Sequence, residues 1–163
     1  MLALMYGFAR LAGFFAAHGV WSVSDGGPLT PILGYEDASG QRGLTRFVAD
    51  DLAEGARKGR EALESNVEGW ARAVLVLDAY IHLEVGKVDA LIAEAVEYGP
   101  VRKKLVIAVP YRPEPFAVHR PKFLEIEGVP ESESGNLADA FFNGVDSHEE
   151  ANAVWNAHLD ESI

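Results

Sequence analysis

From Ala71 onward every second residue is apolar: Ala71, Ala73, Leu75, Leu77, Ala79, Ile81 and Leu83. The residues between them read Arg72, Val74, Val76, Asp78, Tyr80, His82 and Glu84. A period of two is that of a strand, and this row of mixed polarity predicts a long strand with one face towards water. Val85-Gly86 is expected to turn it back, which sets Glu84 opposite Lys87 and Asp89 opposite His82. Residues 88–98 fit helical spacing through Val88, Leu91, Ile92, Ala95 and Val96. Strand is preferred there because it brings Glu97 near Lys104, so that two cross-strand charge pairs agree with a meander. Residues 105–109 read as a buried strand. The expected centre of the core is Leu75, Leu77, Ile81 and Ile107, with Asp78, Tyr80 and His82 on the opposite face.

Helical spacing dominates the two ends. Leu4, Phe8, Leu11 and Phe15 predict a helix over 3–19. Met5 and Phe14 lie off that stripe, so the helix should be covered on two sides, by its own sheet and by a second subunit. Residues 21–24 alternate and read as a short strand before the Asp25-Gly-Gly-Pro turn. Strands are expected at 29–35, where Pro31 suggests a sheet edge, and at 44–48. Asp50 or Asp51 should cap a helix running to about Asn66, with Leu52, Ala56, Gly59 and Leu63 inside. The proline-rich residues 110–115 read as an extended surface loop. Short strands are expected at 116–119 and 123–127, then helices at 137–143 and 148–159. The last has a capping-box pattern, Ser147 with Glu150, and an inner stripe of Ala151, Val154, Trp155 and His158. This order predicts one α+β domain over 1–163, a mostly antiparallel sheet packed against N-terminal, central and C-terminal helices.

Charge changes the picture more than composition does. The chain of 163 residues has no Cys and a formal net charge of −11. Up to Lys122, 14 Lys and Arg face 15 Asp and Glu; from Phe123 on there are ten acidic residues and no basic one. So acidic a C-terminal quarter argues against nucleic acid as a partner and suits a solvated face or a surface for a basic protein. The absence of Cys fits a reducing, cytoplasmic setting. The apolar stretch 1–21 reads as a buried helix, because Arg10 would sit at the bilayer centre and no basic segment precedes it as in a signal peptide. No membrane partner is expected.

Known phosphate-, dinucleotide- and metal-binding motifs are missing from the sequence. The five His lack ligand spacing, so no metal and no cofactor are expected. Three groups could still carry chemistry. Asp78, Tyr80, His82 and Glu84 share a strand face, and an acid such as Asp78 or Asp89 beside His82 or His119 could serve as an acid–base pair. Tyr111, Arg112, Arg120 and Lys122 belong to a basic run that could clamp a small anion, or could instead neutralise the protein's own acidic tail. Phe14, Phe15, Trp21 and Tyr35, with Phe141, Phe142 and Trp155, form core, a dimer seam or an apolar pocket. Without a catalytic set, the sequence points to a non-enzymatic binding or interaction protein, acidic and inhibitor- or immunity-like, and homodimeric. The alternative is an enzyme on a small anionic substrate, with the His/Asp pair and the Arg/Lys clamp.

Overall fold

The computed structural model describes residues 6–163. The expectations for Leu4 and Met5 lie outside them. The chain folds as α+β, with a seven-stranded antiparallel sheet in the order β2-β1-β3-β4-β5-β6. β1 is Ile32–Glu36, β2 Arg42–Arg46, β3 Arg72–Leu83, β4 Gly86–Glu97, β5 Lys103–Pro113, β6 Phe116–Val118 and β7 Lys122–Glu127. β5 also pairs with β7 at the end that β6 leaves free. The helices are α1 Gly7–Val23, α2 Leu52–Ser65, α3 Ser134–Asp146 and α4 Glu149–Ala157. Among the described residues no helix is long and apolar enough to cross a membrane.

The meander β3-β4-β5 is as expected, but the sheet is covered on both faces. Val74, Val76, Leu91, Ala93, Leu105, Ile107 and Val109 pack beneath α1, α3 and α4 in the larger core. Ala73, Leu75, Leu77 and Val96 face the other way and meet Leu33 and Leu63 under α2. Leu75 and Leu77 are therefore separated by the sheet from Ile107, and Ile81 is only half-buried. Val74 and Val76 were the signal: a row meant for water would not carry two buried Val side by side with Arg72. Strict alternation still holds, with Leu77 and Asp78 on opposite faces.

The β3–β4 register corrects the hairpin. His82 pairs with Lys87, and Asp89 with Tyr80, because the two-residue loop is Glu84-Val85 and not Val85-Gly86. The shift is two residues, so every side chain keeps its face while its partner changes. At the other end Glu97 pairs with Lys103, not Lys104.

α1 is buried nearly all round, from Phe8 to Val23. The sheet covers one side and α3 and α4 the other, so its second apolar side is met by the chain's own C-terminal helices. Residues 21–24 continue this helix and form no strand. Val20 and Val23 extend its buried stripe, and the hydroxyls of Ser22 and Ser24 donate to the carbonyls of His18 and Trp21. Pro31 does not mark an edge: β1 lies between β2 and β3, and Pro31 precedes it, its carbonyl accepting from the Phe47 N–H. β2 is the edge.

α2 starts where Asp51 Oδ1 accepts the Glu54 N–H at 2.8 Å and ends at the left-handed Asn66. Its buried stripe is Gly55, Gly59 and Leu63, while Leu52 is exposed. The prolines at 110–113 lie inside β5, not in a loop. The Pro110 carbonyl accepts the His119 N–H, and pairing on both sides outweighs the donor that proline lacks. α4 is capped by His148, whose ring accepts the Ala151 N–H. The expected cap, Ser147, donates instead to the Gly144 carbonyl at 2.6 Å. His158, placed on the inner stripe of α4, is exposed.

Candidate functional site

Three elements meet around a cleft of about 490 Å³. α1 contributes Phe14, Phe15 and His18, which its helical turn brings to one side. β2, at the sheet edge, contributes Arg42, Gly43 and Leu44. The α3–α4 corner contributes Ser147, His148, Glu149 and Glu150. The volume suits a small molecule, as does a mostly apolar wall with a few polar groups.

Those polar groups form a chain. His148 is buried, and its Nδ1 accepts the Ala151 N–H at 3.3 Å. The same Nδ1 lies 3.4 Å from a Glu150 carboxylate oxygen, so either tautomer of His148 finds a partner there. Its Nε2 lies 3.0 Å from His18 Nδ1, and the two nitrogens share one hydrogen bond. His18 Nε2, at the far end of the pair, is buried and has no hydrogen-bond partner among the described residues. Phe14 stacks at a tilt on His148, centroids 4.8 Å apart, and Trp21 stands edge-on to both imidazoles. The Arg42 guanidinium holds Glu36 and lies 4.5 Å over the Phe14 ring.

Burial lowers the pKa of His18 from its ordinary 6.5, and the neighbouring His148 and Arg46 push it the same way against Glu150. Neutral His18 is thus the favoured folded form. As pH falls below about 6.5, the unfolded chain takes up the proton first, so stability is lost down through the lowered folded value. Urea unfolding of the wild type should show this acid-side loss. His18→Asn should flatten it; equal slopes in both proteins would show that His18 is not the group responsible.

The residues singled out from the sequence gather elsewhere, and only in part. Tyr111, Arg112, His119 and Asp89 border a second groove of about 390 Å³ with Lys87 and Asp160. His119 Nδ1 lies 2.8 Å from the Asp160 carbonyl, which can only accept, so the proton is on Nδ1. Burial and the charge of Asp78 raise the pKa of Asp89. Asp78 accepts from the Tyr111 hydroxyl at 2.8 Å and the Leu29 N–H at 3.2 Å, and burial followed by this bond raises the pKa of Tyr111. His82 is exposed by the hairpin tip, opposite Lys87, and borders neither this groove nor the cleft. Arg120 is exposed, and neither it nor Lys122 borders the groove.

Three of the six basic residues between Arg102 and Lys122 are engaged in ion pairs within the fold. Arg102 pairs with Glu64, Lys104 with Glu125, and Arg112 with Asp160 while also donating to the Pro115 carbonyl. The aromatic residues divide three ways. Phe14, Phe15 and Trp21 surround the dyad. Tyr35 stacks on Trp70 on the α2 side, 4.6 Å between centroids. Phe141, with Phe142 and Trp155 edge-on to it, fills the helical layer. Among the described residues no three His, Asp or Glu side chains converge as a metal cage would need.

His18 and His148 were missed as a pair. They are 130 residues apart on different helices, and each alone looks like one polar residue near an apolar stripe. Comparison with known proteins finds no matching family model, no similar curated protein and no similar solved structure.

Proposed function

We propose that this protein is a non-enzymatic binding domain whose cleft between α1, β2 and the α3–α4 corner receives a small, mainly apolar molecule. The observation that carries this is an apolar cavity of ligand size, walled by Phe14, Phe15 and Leu44 beside the His18–His148 pair. Catalysis in the cleft is disfavoured by how its polar atoms are used. The Ser147 hydroxyl is turned to the Gly144 carbonyl, and His148 spends one nitrogen on the helix cap and the other on His18. No nucleophile–base pair remains.

The enzymatic alternative draws on the second groove, which His119, Asp89 and Arg112 all border. Its anion clamp is weak, since Arg112 is already held by Asp160 and Pro115. A homodimer seam is the other use of the open side of Phe14. A concentration-dependent doubling of mass that Leu44→Arg abolishes would favour it.

Fluorobenzene, followed by ¹⁹F NMR, tests the cleft. It should bind with a Kd of about 1 mM or tighter, as a ligand of its size allows. Leu44→Arg, at an edge-strand position where a long side chain can be accommodated, should fill the cleft and abolish binding. Binding that survives this substitution, or no binding at all, overturns the proposal.

A further inference from the structure

We infer that the polar end of the sheet face beneath α1 is a second binding site, a pocket of about 300 Å³ that takes a small organic ammonium ion with an apolar body. It shares no lining residue with the cleft between α1, β2 and the α3–α4 corner. The inference therefore goes beyond the reading above and stands or falls apart from it.

The pocket forms where the sheet outruns its helical cover. Val76, Leu91 and Val109 are buried under the helices. Further along the same strands, the same face carries Asp78, Tyr80, Asp89 and Tyr111, because side chains two residues apart point the same way. The register sets Tyr80, Asp89 and Tyr111 in one row across β3, β4 and β5, and Asp78 stands one step back, opposite Leu91. Pro28 after α1, Leu52 of α2 and Pro113 of β5 close the sides.

Charge decides what fits. Two carboxylates line the pocket, and no Lys, Arg or His does. Asp78 is committed: one oxygen accepts from the Tyr111 hydroxyl at 2.8 Å and the other from the Leu29 N–H at 3.2 Å. The Tyr111 proton is thereby spent and offers nothing to an anion. Asp89 makes no hydrogen bond among the described residues, and burial followed by the charge of Asp78 raises its pKa against the pull of Lys87. A carboxylate in that state is stabilised by a further positive charge. The rim already shows which chemistry it accepts, since Lys87 Nζ stands 4.2 Å from the centre of the Tyr80 ring, a cation–π contact. Lys87 itself lines the neighbouring groove and not this pocket. Two carboxylates, one with both oxygens engaged, supply too few oxygens for a divalent metal ion, whereas the apolar sides suit a hydrocarbon body. An organic ammonium ion meets both conditions.

The test compares 4-fluorobenzylamine with 4-fluorobenzyl alcohol by ¹⁹F NMR at about pH 7, where the amine is charged. The two have nearly the same shape, so their affinity ratio reports the charge. The amine should bind with a Kd of about 1 mM or tighter. It should exceed the alcohol about tenfold, the combined scale of a partly exposed ion pair and a cation–π contact. Asp89→Asn should weaken the amine about fivefold and Tyr80→Leu about threefold, with the alcohol little changed. Glu84→Gln removes the same charge from the exposed hairpin tip, outside the pocket, and should leave both affinities at their wild-type values. A further measurement needs no variant: the amine should lower the pKa of Asp89, followed through its side-chain ¹³C carboxyl shift, and the alcohol should not. Equal binding of the two probes, an amine affinity that ignores Asp89→Asn or falls as far with Glu84→Gln, or binding of neither probe overturns the inference. None of these outcomes touches the cleft, whose own probe is fluorobenzene and whose own variant is Leu44→Arg.

Discussion

Gly13→Ala is expected to cost at least about 3 kcal/mol of stability, although the same change in an open helix gains about 0.5–1 kcal/mol. A Cβ on Gly13 would stand 1.8 Å from the Phe141 carbonyl oxygen and 3.0 Å from the Val145 nitrogen. The partner helix repeats the arrangement, with a Cβ on Gly144 meeting the Arg10 carbonyl oxygen at 1.9 Å. α1 and α3 thus cross backbone to backbone, each glycine against a carbonyl of the other helix. No rotamer change relieves such a clash, so the helices must separate, and the buried Phe8, Phe15 and Phe141 lose contacts along with them. Gly144→Ala should behave alike. Gly135→Ala, in the first turn of α3 with nothing near its Cβ, is the control and should be neutral or slightly stabilising. Urea denaturation measures all three. A neutral Gly13→Ala would mean that the crossing is looser than described. Because the α3–α4 corner carries Ser147 and His148, the two glycine variants should also impair ligand binding in the cleft.

The second large effect lies on the opposite edge of the core. Arg72 on β3 binds Glu97 through Nε and a terminal nitrogen at 2.8 and 3.1 Å, and Glu36 at 2.9 Å. The three residues are direct register partners across β1, β3 and β4, and Glu97 is 7% exposed. Arg72→Met removes the cation and leaves Glu97 buried without its partner, which should cost about 3 kcal/mol. Glu36 fares better, because Arg42 also binds it at 2.5 Å. Pairing Arg72→Met with Glu97→Gln should recover a large part of the loss, since no uncompensated charge then remains. A double-mutant cycle by urea denaturation reads the coupling. Losses that simply add would show that the pair contributes little.

Elements with a strong local period were legible in the sequence. The alternation through β3, the continuous apolar run of β5 and the Asp51-capped α2 needed nothing beyond their own residues. The strand at β4 was reached through two cross-strand charge pairs that the register does not contain, since Lys87 lies opposite His82 and Glu97 opposite Lys103. Register was not readable: the choice between Glu84-Val85 and Val85-Gly86 as the loop moves Asp89 from His82 to Tyr80 without disturbing any apolar pattern. The second covered face of the sheet was visible only as Val74 and Val76 in a row otherwise polar. The cap of α4 was masked by a better-known pattern one residue earlier, since Ser147 and Glu150 imitate a capping box while His148 does the capping. The cleft was the least legible part. Phe14 and Trp21 stood out, but the partner that gives them chemical meaning, His148, arrives only when α3 folds back across α1. The crossing that brings it there depends on Gly13 and Gly144, two residues with no side chain to notice.

The most direct test of the binding cleft is a ¹H–¹⁵N NMR titration of the wild type with 4-fluoroacetophenone at pH 8. Amide shifts should concentrate at residues 14–18, 42–44 and 147–150, and the amides of Tyr111, Arg112 and His119 should stay in place. Shifts centred on Asp89, Tyr111 and His119, or none up to the solubility limit of the ligand, would contradict the assignment of the cleft as the binding site.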